Sequence, residues 1–116
     1  MSNITQYQRG LLEKNVELQQ KNAELIGLAE TSARAEREYN IALATKMLEL
    51  KEQKQSISIL KDVAKGDGIV ADLRFKADVA NAIYNACREA IKDIRENIGS
   101  YRTLISSEKM EYGNAA

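Results

Sequence analysis

AKGDGIV, residues 64–70, places a lysine, an aspartate flanked by two glycines and an apolar pair between two long stretches that contain few helix breakers. Whether it cradles a ligand or turns the chain decides the fold. A phosphate loop of the GxxxxGK[ST] type follows a buried strand, because several backbone N–H groups must converge on the anion. Here the G-x-G follows a helical stretch, lacks a third glycine and has no strand before it. A calcium loop needs oxygen ligands at alternating positions and a bidentate acid near its end. Asp67 has only Asp62 and Asp72, five residues away on either side. A turn accounts for every residue: Gly66 in the left-handed conformation closes one helix, Asp67 accepts the orphan N–H groups of the next, and Gly68 lets the chain reverse. The stretch therefore predicts an antiparallel helical hairpin.

Working back from the turn, residues 3–54 read as one long helix, broken only by Gly10 and Gly27 at about 1 kcal/mol each. Such a helix would span roughly 75 Å at about 1.5 Å per residue. It carries a repeat, KNVEL (14–18) and KNAEL (21–25), with Leu11, Leu18 and Leu25 every seven residues. Two readings fit. In a coiled coil the leucines take the d positions, and Asn15 and Asn22 fall at a, fixing register. In a bundle Leu11, Leu12, Leu18, Leu25 and Ile26 face inward, with the asparagines at the edge. After Ala29 the stripe is expected to shift phase, Tyr39, Leu43, Met47, Leu50, Lys54 and Ile57 facing a different partner. QSISIL (55–60) alternates polar and β-branched residues, which suits an extended or irregular step. Ser58 is the expected cap of a short helix over Ile59–Lys65.

Working forward from the turn, the second long helix covers about 68–112. Leu73, Ala77, Ala80, Tyr84, Cys87, Ile91, Ile94, Ile98, Tyr101, Ile105 and Tyr112 lie on one four-three ladder, interrupted by Glu108. Ile83, Ala90 and Leu104 widen it, so a bundle fits better than a two-stranded rod.

Composition agrees with helices: no proline, no tryptophan, and 44% apolar residues dominated by Ala, Leu and Ile. Seventeen basic and seventeen acidic residues interleave and cancel, so the net charge alone steers no polyanion. With no histidine, the usual catalytic bases, zinc sites and Glu-x-x-His di-iron sites lack their usual members. Paired carboxylates (Glu89 and Asp93, Glu36 and Glu38) have basic neighbours and read as solvated helix faces. Cys87 reads as a small core residue rather than a nucleophile. The expectation is therefore no catalytic residue, no metal and no cofactor. Short basic stripes, Arg34 with Arg37 and Arg88 with Lys92 and Arg95, are offset by Glu30, Glu38, Glu89 and Glu96. No apolar run approaches the roughly 20 residues of a membrane span, and the first ten residues lack the pattern of a secretory signal.

Three stretches, AEREYNIALATKMLEL (35–50), LKDVAKGD (60–67) and VADLRFKADVANAIYNACREAI (70–91), together resemble small uncharacterised proteins encoded by phages and prophages of Gram-positive bacteria. The resemblance covers about the last two thirds of the chain and rests on overall pattern. It implies a phage-borne accessory protein, acting in the cytoplasm of a bacterial host, with no catalytic residues to carry over. QSISIL departs from it where a proline-containing turn would be expected, and the KNVEL and KNAEL repeats lie outside it.

The sequence thus predicts an all-α protein of one domain (1–116): a long antiparallel hairpin with a short helix or irregular step over 55–66, assembling into a coiled-coil-like oligomeric bundle. The seam residues are Leu11, Leu18, Leu25, Leu43, Met47, Leu50, Leu73, Tyr84, Cys87, Ile91, Ile94, Ile98, Tyr101 and Ile105; Gly66, Asp67 and Gly68 form the turn. The expected function is a non-enzymatic interaction or scaffold protein that binds itself and a protein partner. The alternative is a nucleic-acid-binding or recombination accessory factor.

Overall fold

A computed structural model of the chain describes residues 3–115, all of whose regular structure is helical. Helix α1 spans Ile4–Glu52, α2 spans Leu60–Lys65 and α3 spans Gly68–Ala115, with α1 and α3 packed as a long antiparallel hairpin. The chain forms two compact units, each built from a piece of both long helices. One joins the residues up to Leu25 to those from Ala86 onward; the other is Ile26–Asn85.

In the first unit, Cys87, Ile91, Ile94 and Ile98 of α3 are buried, and Leu11, Leu18 and Leu25 of α1 are half-buried. Lys14 and Lys21 also hold half-buried positions, each with its ammonium turned to a neighbouring carboxylate: Lys14 to Glu17 at 3.1 Å and Lys21 to Glu24 at 3.2 Å. Their aliphatic stems cover the seam while the charges stay in solvent. Leu12 and Ile26, which the bundle reading placed inward, are instead 66% and 73% exposed. Asn15 is half-buried and Asn22 exposed, so the asparagines lie at the edge of the interface and the central a positions of the coiled-coil reading are not theirs.

In the second unit the buried residues of α1 are Ser32, Ala35, Tyr39 and Leu50. Tyr39 lies two heptads after Leu25, so the stripe keeps its phase well past Ala29. The shift comes later, through the four-four step Tyr39–Leu43–Met47, and the physical reason is α2. Leu50, Leu60 and Ala64 form a buried cluster against which Leu43 and Met47 pack. The rotated stripe faces the short helix of its own chain, so these residues need no second copy to cover them.

The chain reversal differs from the expected one. Gly66 is right-handed (φ −80°, ψ −11°), and no glycine has positive φ. Its N–H donates to the carbonyls of Asp62 and Val63, both at 3.2 Å, and Asp67 follows with a bond to Ala64 O at 3.2 Å. The left-handed residue is Lys54 (φ 63°). Its N–H donates to Lys51 O at 3.0 Å and that of Gln55 to Leu50 O at 3.1 Å, the paired bonds of a Schellman ending to α1. A side chain in this conformation is strained where glycine is not. Lys54→Gly should therefore raise stability by about 0.5–1 kcal/mol in denaturant unfolding, with an unchanged slope.

Ser58 does not cap α2. The N-cap is Ile59, with no side-chain bond, and the Ser58 hydroxyl pairs with that of Ser56 at 2.9 Å. The cap at the start of α3 is as expected. Asp67 Oδ2 accepts from the N–H groups of Ile69 and Val70, both at 3.2 Å, and Lys46 Nζ lies 3.5 Å from Oδ1. The Val70 N–H, assisted by Lys46 and Ile69 and opposed by partial desolvation, holds the Asp67 carboxyl below its usual range. Because the folded pKa lies below the unfolded one, this contribution is complete above about pH 5. It is lost as pH falls past the unfolded value of about 3.9 and through the lower folded one. Asp67→Ala should lower the thermal midpoint by several degrees at pH 7, and Asp67→Asn by less, since asparagine still caps. The wild-type advantage over either variant should shrink as pH is lowered to about 2.

Candidate interaction surfaces

Among the described residues no group of three or more His, Cys, Asp or Glu could hold a metal, and no helix is long and apolar enough to cross a membrane. The Cys87 thiol is buried and donates to Lys21 O at 3.6 Å, an apolar-seam position rather than a reactive one. Of the remaining seam residues on α3, Leu73, Tyr84, Tyr101 and Ile105 are half-buried, whereas Tyr112 is 56% exposed and leaves the ladder. Ala77 of the ladder is fully packed, and Val70, also buried, extends it toward the turn.

Gly10 is a structural position that composition could not reveal. A Cβ there would stand 2.6–2.8 Å from the ring and hydroxyl of Tyr101, so the glycine makes room for that side chain within the first unit. In the second unit Arg74 joins the two long helices: its guanidinium bonds Glu36 and Asp78 and lies 4.4 Å from the centroid of the Tyr39 ring. Lys76 and Glu38 pair at 3.2 Å on the other flank. These contacts set the lateral register of α1 against α3.

Two surfaces remain that the hairpin itself does not use. The first is apolar and belongs to the second unit. Ile69 lies beside Thr45 in a shallow groove, and Lys76 reaches Glu38, seven residues before Thr45. This flank therefore carries Ile41 and Leu48 on α1 and Ile69, Val79 and Ile83 on α3, all between 41% and 73% exposed. Charged side chains of both signs border it: Lys46, Glu49 and Asp67 line the same groove as Ile69, Lys76 pairs with Glu38, and Arg34 with Glu30.

The second surface is polar and belongs to the first unit. A groove of about 500 Å³ is lined by Asn22, Leu25, Arg88, Glu89, Ile91, Lys92, Arg95 and Glu96. The three basic residues that sequence reasoning set aside as offset by acids thus share one groove with the edge of α1.

No family model, no curated protein and no solved structure matches this chain.

Proposed function

We propose that this protein is a non-enzymatic helical scaffold that associates with a second copy of itself and presents its long helices to a protein partner, as a phage-type accessory protein in a bacterial cytoplasm would. The apolar flank of the second unit carries the reading. Five large aliphatic side chains stay exposed on one flank, and an exposed apolar strip rimmed by polar residues marks an interaction site. The mixture of both charges around them favours a copy related by a two-fold axis, because an isologous contact sets the patch against itself and cations of one copy against anions of the other. Ala82, a small residue beside Val79 and Ile83, lets a second helix approach closely.

Sedimentation velocity at micromolar concentration tests the reading. The wild type should sediment as a dimer or larger species. Val79→Lys with Ile83→Glu should give a monomer with the same helical content, because both side chains are exposed and contribute little to the hairpin core. A wild-type chain that stays monomeric under these conditions contradicts the proposal.

A further inference from the structure

We infer that the groove-bearing flank of the first unit is a docking surface for the phosphate backbone of duplex nucleic acid. Arg88, Arg95, Arg102 and Lys109 recur every seven residues along one row of α3, with Lys92 on the adjoining row. Seven residues are close to two turns, so the four cations stand in line at steps of about 10 Å over about 30 Å of helix. Across the groove, the α1 row that holds Asn22 continues through Asn15 and Gln8, with Gln19 beside it. None of these rows contains an acid. Of the acids of this unit, Glu13, Glu17, Glu24, Asp93 and Glu111 lie on the opposite flank and Glu108 in the seam, while Glu89 and Glu96 line the groove beside the five cations. Zero net charge for the chain therefore conceals two flanks of opposite sign.

Among the described residues no ion pair holds Lys92, Arg95, Arg102 or Lys109. By contrast, Lys14 and Lys21 on the opposite side are each engaged by a glutamate. A straight line of long cations beside amide donors matches a linear polyanion, whose phosphates accept from arginine, lysine and amide side chains alike. Duplex is favoured over single strand because a single exposed ring, Tyr112 at the Lys109 end, stands near the row, too few to stack a run of unpaired bases. The rings of Tyr84 and Tyr101 belong to the seam. A lipid surface is disfavoured because the residues beside the cations on α3 are Gly99 and Ser106, not the large apolar side chains that anchor an interfacial helix.

The test is fluorescence anisotropy of a labelled 30-base-pair duplex with the full chain between about 25 and 200 mM salt. Binding should weaken with a log–log slope between about −2 and −4, as neutralising two to four phosphates requires. Arg95→Glu with Arg102→Glu should weaken binding at least tenfold with circular dichroism unchanged, and Arg95→Gln with Arg102→Gln should flatten the slope by about 2. Glu17→Gln with Glu24→Gln, on the opposite flank, should leave affinity within about twofold. Absence of binding at the lowest salt, equal losses in the two flanks' variants, tighter binding of a 30-nucleotide single strand, or binding of anionic vesicles without binding of duplex would each overturn the inference.

Discussion

Ile94→Glu should unfold the protein at room temperature, whereas Glu96→Lys, two residues away, should leave it folded. Ile94 is 4% exposed in the middle of the α3 ladder, with Ile91 and Ile98 buried on either side of it. Losing the isoleucine there removes apolar burial worth about 2–3 kcal/mol. Placing a carboxylate in the same apolar space adds a desolvation cost, and the half-buried Lys14 and Lys21 of this seam are already engaged by Glu17 and Glu24. The combined loss of about 4 kcal/mol or more is comparable with the whole stability of a domain of this size. Glu96 lines the basic groove and makes no seam contact. Circular dichroism melting curves distinguish the outcomes, and a cooperative transition for Ile94→Glu close to that of wild type would mean that the ladder is not the core.

The second large effect is a change of sign at Gly10. Alanine in an exposed helix is favoured over glycine by about 1 kcal/mol. At position 10, however, its methyl group would fall within 2.6–2.8 Å of Tyr101 atoms, so the ring must leave its place in the seam. Overpacking of this kind costs about 1–3 kcal/mol, enough to outweigh the propensity gain. Gly10→Ala should therefore destabilise the wild type by about 1 kcal/mol and stabilise a Tyr101→Ala background by a similar amount. The cycle, measured by urea unfolding, isolates the contact from the intrinsic helix preference. A stabilising Gly10→Ala in both backgrounds would show that the tyrosine ring does not pack over Gly10.

What the sequence determined by itself follows from periodicity and backbone chemistry, which are local. The absence of proline, the four-three spacing from Leu73 to Ile105 and the Asp67 cap specify two long helices, their inner faces and the start of the second one. Each of these depends only on residues within a few turns of one another. The stripe on α1 was harder to follow because its middle is built from Ser32 and Ala35, residues too small to stand out as apolar. The phase shift was consequently expected some ten residues too early, and its cause, the docking of α2, was invisible.

The tertiary structure alone decided the features that depend on one helix facing another. Gly10 reads as a weak point in a lone helix and becomes a necessity only opposite Tyr101. Lys54 takes the left-handed position expected of Gly66, because the chain must leave α1 at Glu52, seven residues short of α2, if Leu60 and Ala64 are to reach Leu50. Arg88, Lys92 and Arg95 looked neutralised by Glu89 and Glu96 as long as charge was summed along the chain. Electrostatics acts through space, and the pairing of α1 with α3 gathers these cations, with Glu89 and Glu96 beside them, into one groove against the edge of α1, while Glu17 and Glu24 engage Lys14 and Lys21.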